Sequence, residues 1–285
     1  MQYRALGRTG QKLSVIGFGG IVVSETTPEE ASRLVSSAVA RGVNYFDVAP
    51  SYGDAEEKLG PALKPHRDAV FLACKTQCRD AEGATAELDA SLKMMHTDHF
   101  DLYQLHAMTK LEDVETVLGP GGALEAFQRA RDAGKVRYLG FSAHSAEAAE
   151  QLLDRFPFDS VLFPLNFATY LEGNFGPQVI AAAQRRGAGV LALKGMARTR
   201  WPEGTARDDR RWKKAWYEPL DDRALASLAL RFTLGLGVTA AIPPGHAELF
   251  DLALEIARDL RPLSEAELAT ITEMAHATEP LFRAA

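Results

Sequence analysis

Cysteine is nearly absent: 285 residues hold only Cys74 and Cys78. Two thiols four positions apart cannot build a four-sulfur metal cluster, and a chain of this length buries enough surface to need no disulfide. No apolar run approaches the ~18 residues that a membrane-spanning helix requires. Basic charge is not in excess either. Lys and Arg number 32 against 38 Asp and Glu, a net charge of −6. An acidic surface repels phosphate backbones, so neither nucleic acid nor a membrane is expected as a partner. The first residues, Met1-Gln2-Tyr3-Arg4-Ala5, lack the charged-then-apolar pattern of a signal peptide. With so little cysteine, the expectation is a cytoplasmic protein. No clustered His and carboxylate ligands follow successive apolar runs, so no metal is expected.

Hydrophobic residues make up 46% and charged residues 25% of the chain, which excludes a disordered or collagen-like polymer. Short, near-continuous apolar runs recur: Ser14–Phe18, Asn44–Val48, Ala69–Cys74, Phe100–Leu105, Val136–Phe141, Ser160–Leu165, Gly189–Leu193 and Val238–Ile242. Such runs mark strands covered on both faces. Amphipathic stretches fill the gaps, at Pro28–Arg41, Ala55–Leu63, Ala84–Met95, Ala123–Ala133, Ser145–Arg155, Pro177–Arg186 and Asp222–Leu234. His246–Leu260 and Ser264–Ala277 follow the last strand, and Ser264-Glu265-Ala266-Glu267 has the form of a capping box. Eight strand–helix units at about 30-residue spacing predict a (β/α)8 TIM barrel in one domain, residues 1–285. An N-terminal β-hairpin over Gln2–Leu6 and Lys12–Val15 precedes it, and one or two extra helices end it. One segment breaks the rhythm. Residues 197–217 (ARTRWPEGTARDDRRWKKAWY) are long, polar and basic, and hold all three tryptophans. A loop this long inside a compact domain is usually functional or mobile.

In such a barrel, chemistry gathers where strands end and the following loops begin. The polar residues there are Asp47 and Tyr52 after the second strand, Lys75 after the third, His106 after the fourth, Ser142 and His144 after the fifth, Asn166 after the sixth and Lys194 after the seventh. A lysine ending an apolar strand needs a counter-charge, and Asp47 one strand away can supply it. A nearby ammonium favours phenolate, so Lys75 would lower the pKa of Tyr52 and let it exchange protons near neutrality. A neighbouring imidazole could hold a carbonyl oxygen.

At this point the chain resembles the aldo-keto reductase family. The resemblance rests on Phe18-Gly19-Gly20, GVNYFDVAPSYG over residues 42–53, Lys75 at its strand end, DLYQLH over 101–106 and GKVRYLGFS over 134–142. Asn166 and Ile242-Pro243-Pro244-Gly245 fit more loosely. The resemblance implies a NAD(P)H-dependent oxidoreductase that reduces an aldehyde or ketone to an alcohol, or the reverse. The family binds its nicotinamide cofactor without a Gly-x-Gly-x-x-Gly turn. It implies a catalytic set of Asp47, Tyr52, Lys75 and His106, with Tyr52 as proton donor. The cofactor-binding set it implies comprises Gly20, Ile21, Ser142, Asn166, Lys194, Gly195, Met196, Arg198 and Gly245.

Some positions depart from the family pattern. Ala143 stands where asparagine is common and Phe163 where glutamine is common. The stretch after Gly245 holds no Lys or Arg for a 2′-phosphate. The basic 197–217 loop, with Arg198, Arg200, Arg207, Arg210, Arg211, Lys213 and Lys214, could supply the missing cations through one or two of its arginines, Arg198 and Arg200 being the pair to test by charge reversal, and the cofactor expectation is NADP(H) over NAD(H). Two other readings stand beside the reductase: a redox-neutral epimerase- or lyase-type enzyme with tightly held NAD(P), and a cofactor-sensing regulatory subunit. The partner expected is a small carbonyl or alcohol, with oligomeric state left open. The pocket is expected to draw on Phe18, Tyr52, Phe163, Phe167 and the three tryptophans, while His144 and His246 are expected on the surface or in structural roles.

Overall fold

The computed structural model describes residues 1–284. The hairpin forms first, from β1 (Tyr3–Ala5) and β2 (Lys12–Ser14), joined through a 3-10 turn at Gly7–Thr9. The barrel strands are β3 (Phe18–Gly19), β4 (Tyr45–Asp47), β5 (Phe71–Thr76), β6 (Phe100–Met108), β7 (Val136–Ala143), β8 (Ser160–Pro164) and β9 (Gly189–Leu193). A pair of short strands, β10 (Ala197–Arg200) and β11 (Tyr217–Pro219), comes before the last barrel strand, β12 (Ala240–Ile242). All barrel pairings are parallel, in the order β12-β9-β8-β7-β6-β5-β4-β3. The two ends of this sheet meet through Gly17 N–H on the Ala241 carbonyl (3.0 Å) and Ala241 N–H on Val15 (2.9 Å), so the barrel is nearly closed. The closing segment lies tight on β4: a Cβ at Gly17 would fall 2.5 Å from the Tyr45 ring.

Side chains alternate between two shells, as strand geometry demands. One alternate set, with Tyr45, Phe71, Ala73, Leu102, Leu162, Leu191 and Ala240, packs together inside the barrel. Leu6 and Leu13 of the hairpin join that cluster and plug one end. The other set, with Phe46, Leu72, Cys74, Tyr103, Phe141 and Phe163, packs outward against the helices. The helices start where the sequence supplies donors and caps. Thr27 accepts from Glu30 N–H to open Pro28–Ala40, whose Ala31, Leu34, Val35 and Ala38 recur at helical spacing and are buried. The expected capping box forms, with Ser264 and Glu267 bonding each other's backbone to open Glu265–His276.

Several boundaries shift. Ser14 belongs to the hairpin, and the first barrel strand shrinks to Phe18–Gly19. The last strand begins at Ala240, two residues later than expected. Leu111–Leu118 is a helix that the pattern did not reveal. It has no side-chain cap and buries only Val114 and Val117. The 197–217 segment is not loop throughout: it opens on β10, which pairs antiparallel with β11. Ala247–Arg258 and Glu265–His276 are the last two helices among the described residues.

Candidate active site

Inward alternation carries polar groups to one end of the barrel, directly above its apolar filling. Along β4 the inward residue after Tyr45 is Asp47; along β5 the one after Ala73 is Lys75; along β6, Gln104 and then His106 follow Leu102. These three strands are neighbours, with Asp47 opposite Ala73 and Lys75 opposite Gln104. Tyr52 arrives from the turn after β4, whose Tyr52 N–H bonds the Ala49 carbonyl at 3.0 Å.

Lys75 is fully buried. Its ammonium pairs with Asp47 Oδ1, donates to the Val48 carbonyl at 3.2 Å and lies 5.0 Å from the centroid of the Tyr52 ring. The second Asp47 oxygen accepts from the Tyr45 hydroxyl (3.3 Å) and the Gln104 amide (3.1 Å). The carboxylate is therefore fixed from three strands. Burial alone would pull the Lys75 ammonium down, but Asp47 and Tyr52 outweigh it and hold it above its ordinary value. For Tyr52 the balance runs opposite to the sequence expectation. Burial pushes the phenol above its ordinary value, and the charge of Lys75 offsets only part of that rise. The sequence showed the ammonium but not how deeply the ring is enclosed.

His106 meets the Tyr52 ring edge-on, with centroids 5.7 Å apart, and Ser51 Oγ lies 3.3 Å from its Nδ1. Arg79 donates to the His106 carbonyl at 2.9 Å. Burial, then the charge of Lys75, pushes the imidazole down to about 3, so it is neutral at working pH. His144 is brought down to about 3 by burial and Lys194.

One cavity of about 240 Å3 joins these groups. Of the residues singled out in the sequence, Asp47, Tyr52, Lys75, His106, Ile21, Ser142, Lys194 and Gly245 line it. Gly20, Asn166, Gly195, Met196 and Arg198 do not. Asn166 is fully buried and caps the short helix Phe167–Leu171, with its Oδ1 accepting from Thr169 N–H at 2.9 Å. Gly195 packs against Thr233, and Met196 is buried in the outer shell. Arg198 points to solvent and lies 3.6 Å from Glu218. Arg200 faces the Trp216 ring and donates to the Leu281 carbonyl at 3.4 Å. Instead Arg207, Arg210 and Lys213 border a second cavity, which shares Ile21, Tyr52, Lys214 and Trp216 with the first. Of the expected aromatics only Tyr52 and Trp216 line the main cavity. Phe163 faces the outer shell and stacks on Phe175 at 4.7 Å. Trp201 and Trp212 spend their N–H groups on the Ala215 carbonyl and on Asp221.

Sequence reasoning misplaced His144, which lines the cavity. The signal was there: it lies two residues beyond Ser142, on the same inward alternation. Lys214 was also missed as a tie. Its ammonium donates to the carbonyls of Ile21 (3.3 Å), Val22 (3.2 Å) and Ser24 (2.6 Å), fastening the segment between β10 and β11 to the loop after β3. Nothing in its sequence distinguishes it from Lys213. His246 is structural as expected, its Nε2 accepting from Lys214 N–H at 3.1 Å.

One group of the cavity has the chemistry to meet a nicotinamide amide, and a second polar group lies buried outside the lining. Ser142 Oγ accepts from Ala107 N–H at 2.8 Å, which leaves its own hydrogen to donate within the cavity. The Asn166 Nδ2 is fully buried without a partner among the described residues. Close backbone approach is also built in: a Cβ at Gly245 would fall 2.3 Å from Ile21 Cγ2.

Comparison with known proteins places this geometry. The model of the Aldo/keto reductase family matches residues 15–277. Aldo-keto reductase YhdN of Bacillus subtilis is 32% identical over 185 residues, 58% of this chain and 54% of that protein. L-galactose dehydrogenase of Arabidopsis thaliana is 26% identical over 216 residues, 69% of this chain and 66% of that protein. The chain thus spans about half to two thirds of the length of these two curated relatives. Among solved structures, the holo form of aldo-keto reductase AKR11C1 from Bacillus halodurans matches with a TM-score of 0.77 at 23% identity, covering 99% of this chain and 98% of that one. That likeness is one of fold, a (β/α)8 barrel. With the family model spanning nearly the whole barrel, the chain belongs to the aldo/keto reductase family.

Proposed function

We propose that this protein reduces the carbonyl of a small aldehyde or ketone, or runs the reverse oxidation, with a nicotinamide cofactor and Tyr52 as the proton donor. The observation that supports this most is the buried Asp47–Lys75 pair set 5.0 Å from the Tyr52 ring, with neutral His106 at the ring edge in the same cavity.

The chain's own groups divide the work. His106, held neutral, donates one N–H to the carbonyl oxygen and fixes its position. Tyr52 delivers its proton to that oxygen as negative charge grows there. Lys75 stabilises the phenolate left behind, and Asp47 keeps the ammonium charged and pointed at the ring. Asp47 acts through Lys75 and is a positioning residue. A reduced nicotinamide, when bound, would supply hydride (two electrons with one hydrogen) for the carbonyl carbon. Ser142, Ile21 and Gly245 would hold its reacting end, and Arg207, Arg210 and Lys213 its phosphates. All three belong to the basic loop from which phosphate ligands were expected, and they line the second cavity, which Arg198 and Arg200 do not. They favour NADP(H), whose extra phosphate they could pair.

Tyr52→Phe tests the assignment. The expected result is loss of carbonyl reduction by at least about a hundredfold, the usual worth of a general acid, with NADPH binding by fluorescence titration unchanged. Retention of most of kcat would remove Tyr52 as the acid. Cofactor that stays bound through purification, with no net oxidation or reduction of any carbonyl, would favour the redox-neutral reading instead.

A further inference from the structure

Lys194 is the second buried lysine of the cavity, and it is built unlike the first. It ends the seventh barrel strand, just past β9, in a left-handed backbone conformation (φ +65°) rare for a non-glycine residue. Its side chain is 6% exposed and lines the same cavity as Tyr52 and His106. Lys75 has Asp47; Lys194 has no carboxylate or carbonyl acceptor among the described residues. Its ammonium instead lies 5.5 Å from the Trp216 ring centroid and 5.7 Å from that of Phe282. Aromatic faces favour a cation modestly and cannot replace a counter-ion. Burial accordingly pulls this lysine down to about 8.

The groups facing it share its requirement. His144, from the end of β7, packs on Phe282 at 5.6 Å and is neutral. His106 feels the charge of Lys194 as well as that of Lys75. The cavity therefore has a proton-donating end at Tyr52 and His106, and beside it an uncompensated cation flanked by a neutral imidazole with N–H to donate. A buried ammonium without an anion destabilises the fold, and it persists where a ligand brings the missing charge. The loop cations Arg207, Arg210 and Lys213 border the neighbouring cavity, where Arg207 pairs with Glu25 and Lys213 lies 3.5 Å from Asp208, exposed partners that a cofactor's phosphates would replace. The charge of Lys194 falls on the carbonyl-holding histidine.

We infer that Lys194, with His144, binds a carboxylate carried by the substrate, so that the preferred substrates are carbonyl compounds bearing an acidic group. Given the reductase reading, on which this rests, the enzyme converts oxo acids or aldehyde acids to the corresponding hydroxy acids, or the reverse. Trp216 supplies an aromatic wall of the cavity beside which such a molecule would lie, with Phe282 packed edge-on behind it.

The test compares 4-carboxybenzaldehyde with benzaldehyde in wild type, Lys194→Met and Lys194→Arg. Met matches Lys in length and demands nothing new of the backbone. Benzoate binding by calorimetry, which needs no turnover, runs in parallel, as does NADPH titration. Wild type should favour the carboxylated aldehyde in kcat/KM by at least tenfold. Lys194→Met should abolish that preference and weaken benzoate at least tenfold, while Lys194→Arg retains both. Benzoate should also bind more weakly at pH 9.5 than at pH 6.5 in wild type, because the ammonium is lost on passing pH 8. Equal use of both aldehydes by wild type would overturn the inference and leave the reductase reading standing. Benzoate bound through Lys194 with neither aldehyde reduced would do the opposite. A loss in Lys194→Met shared by both aldehydes and matched by NADPH affinity would also overturn it, and give the lysine to the cofactor.

Discussion

Removing Lys75 separates what the buried ion pair does for stability from what it does for chemistry. In Lys75→Met the Asp47 carboxylate stays buried, held only by the Tyr45 hydroxyl and the Gln104 amide. A buried charge stripped of its partner costs about 3–5 kcal/mol. At about 2–4 °C per kcal/mol for a large domain, the melting temperature should fall by roughly 6–20 °C. Protonating the stranded carboxylate relieves that cost, so the deficit should shrink as pH falls. The double variant Asp47→Asn/Lys75→Met leaves no charge to strand and should recover most of the lost stability. Activity should behave differently. An ammonium about 5 Å from the Tyr52 ring favours the phenolate by about 3 kcal/mol at an effective dielectric of 20, roughly a hundredfold in rate. Both variants lack that charge, so the double variant should be folded and slow. The assays are thermal melts across pH and steady-state carbonyl reduction. A double variant that regained wild-type kcat would refute the argument that Lys75 acts on Tyr52 through charge.

Lys194→Met should stabilise the ligand-free protein. The folded lysine titrates near 8 and the unfolded one near its ordinary value, so the unfolded chain holds more protons between pH 8 and about 10.4, and wild-type stability rises with pH across that window. The variant should gain up to about 3 kcal/mol at pH 7 and lose that slope; urea midpoints below wild type would count against an uncompensated charge. The two cavity histidines predict the acid side. Both titrate near 3 when folded, so each can cost up to about 1.4 kcal/mol per pH unit as pH falls from about 6.5 towards 3. His106→Gln/His144→Gln should flatten that part of the stability profile, and an unchanged slope would mean that neither is protonated on unfolding. Lys214→Met removes three donors from the carbonyls of Ile21, Val22 and Ser24. Amide hydrogen exchange between β10 and β11 should quicken at least tenfold, and equal protection would show that the Lys214 tie does not hold that segment.

The barrel was legible because its strands are uniformly apolar and its helices carry their own punctuation. Thr27-Pro28 and Ser264-x-x-Glu267 marked helix starts that the structure keeps. What escaped was whatever depends on a distant neighbour. Ser14 reads as strand in either sheet, and only its pairing with Tyr3 assigns it to the hairpin. Alternation fixed Lys75 and Ser142 at strand ends, while Tyr52, Ile21 and Gly245 reach the cavity from loops. The basic residues of the 197–217 segment were harder to place. Arg198 and Arg207 look alike in sequence, yet one pairs with Glu218 and the other reaches Glu25 across the loop after β3. The rise in the Tyr52 phenol shows the same limit, because sequence names the charged neighbour and folding decides how much water remains.

The hairpin plug has a consequence for how the molecule assembles in time. Arg4 donates to the carbonyls of Leu234 (2.7 Å) and Val238 (2.8 Å), Arg8 N–H bonds the Gly187 carbonyl at 2.8 Å, and Leu6 and Leu13 pack among strands drawn from the whole barrel. During synthesis, residues 3–14 leave the ribosome long before Leu234 and Val238. Until some 230 later residues have followed, the hairpin has only its own β1–β2 pairing and the earlier strands to pack on. Docking of the hairpin is then among the last events of folding, and contacts so distant in sequence form slowly. If so, substitutions there should speed unfolding while leaving the folding rate nearly unchanged, the behaviour of contacts that form after the transition state.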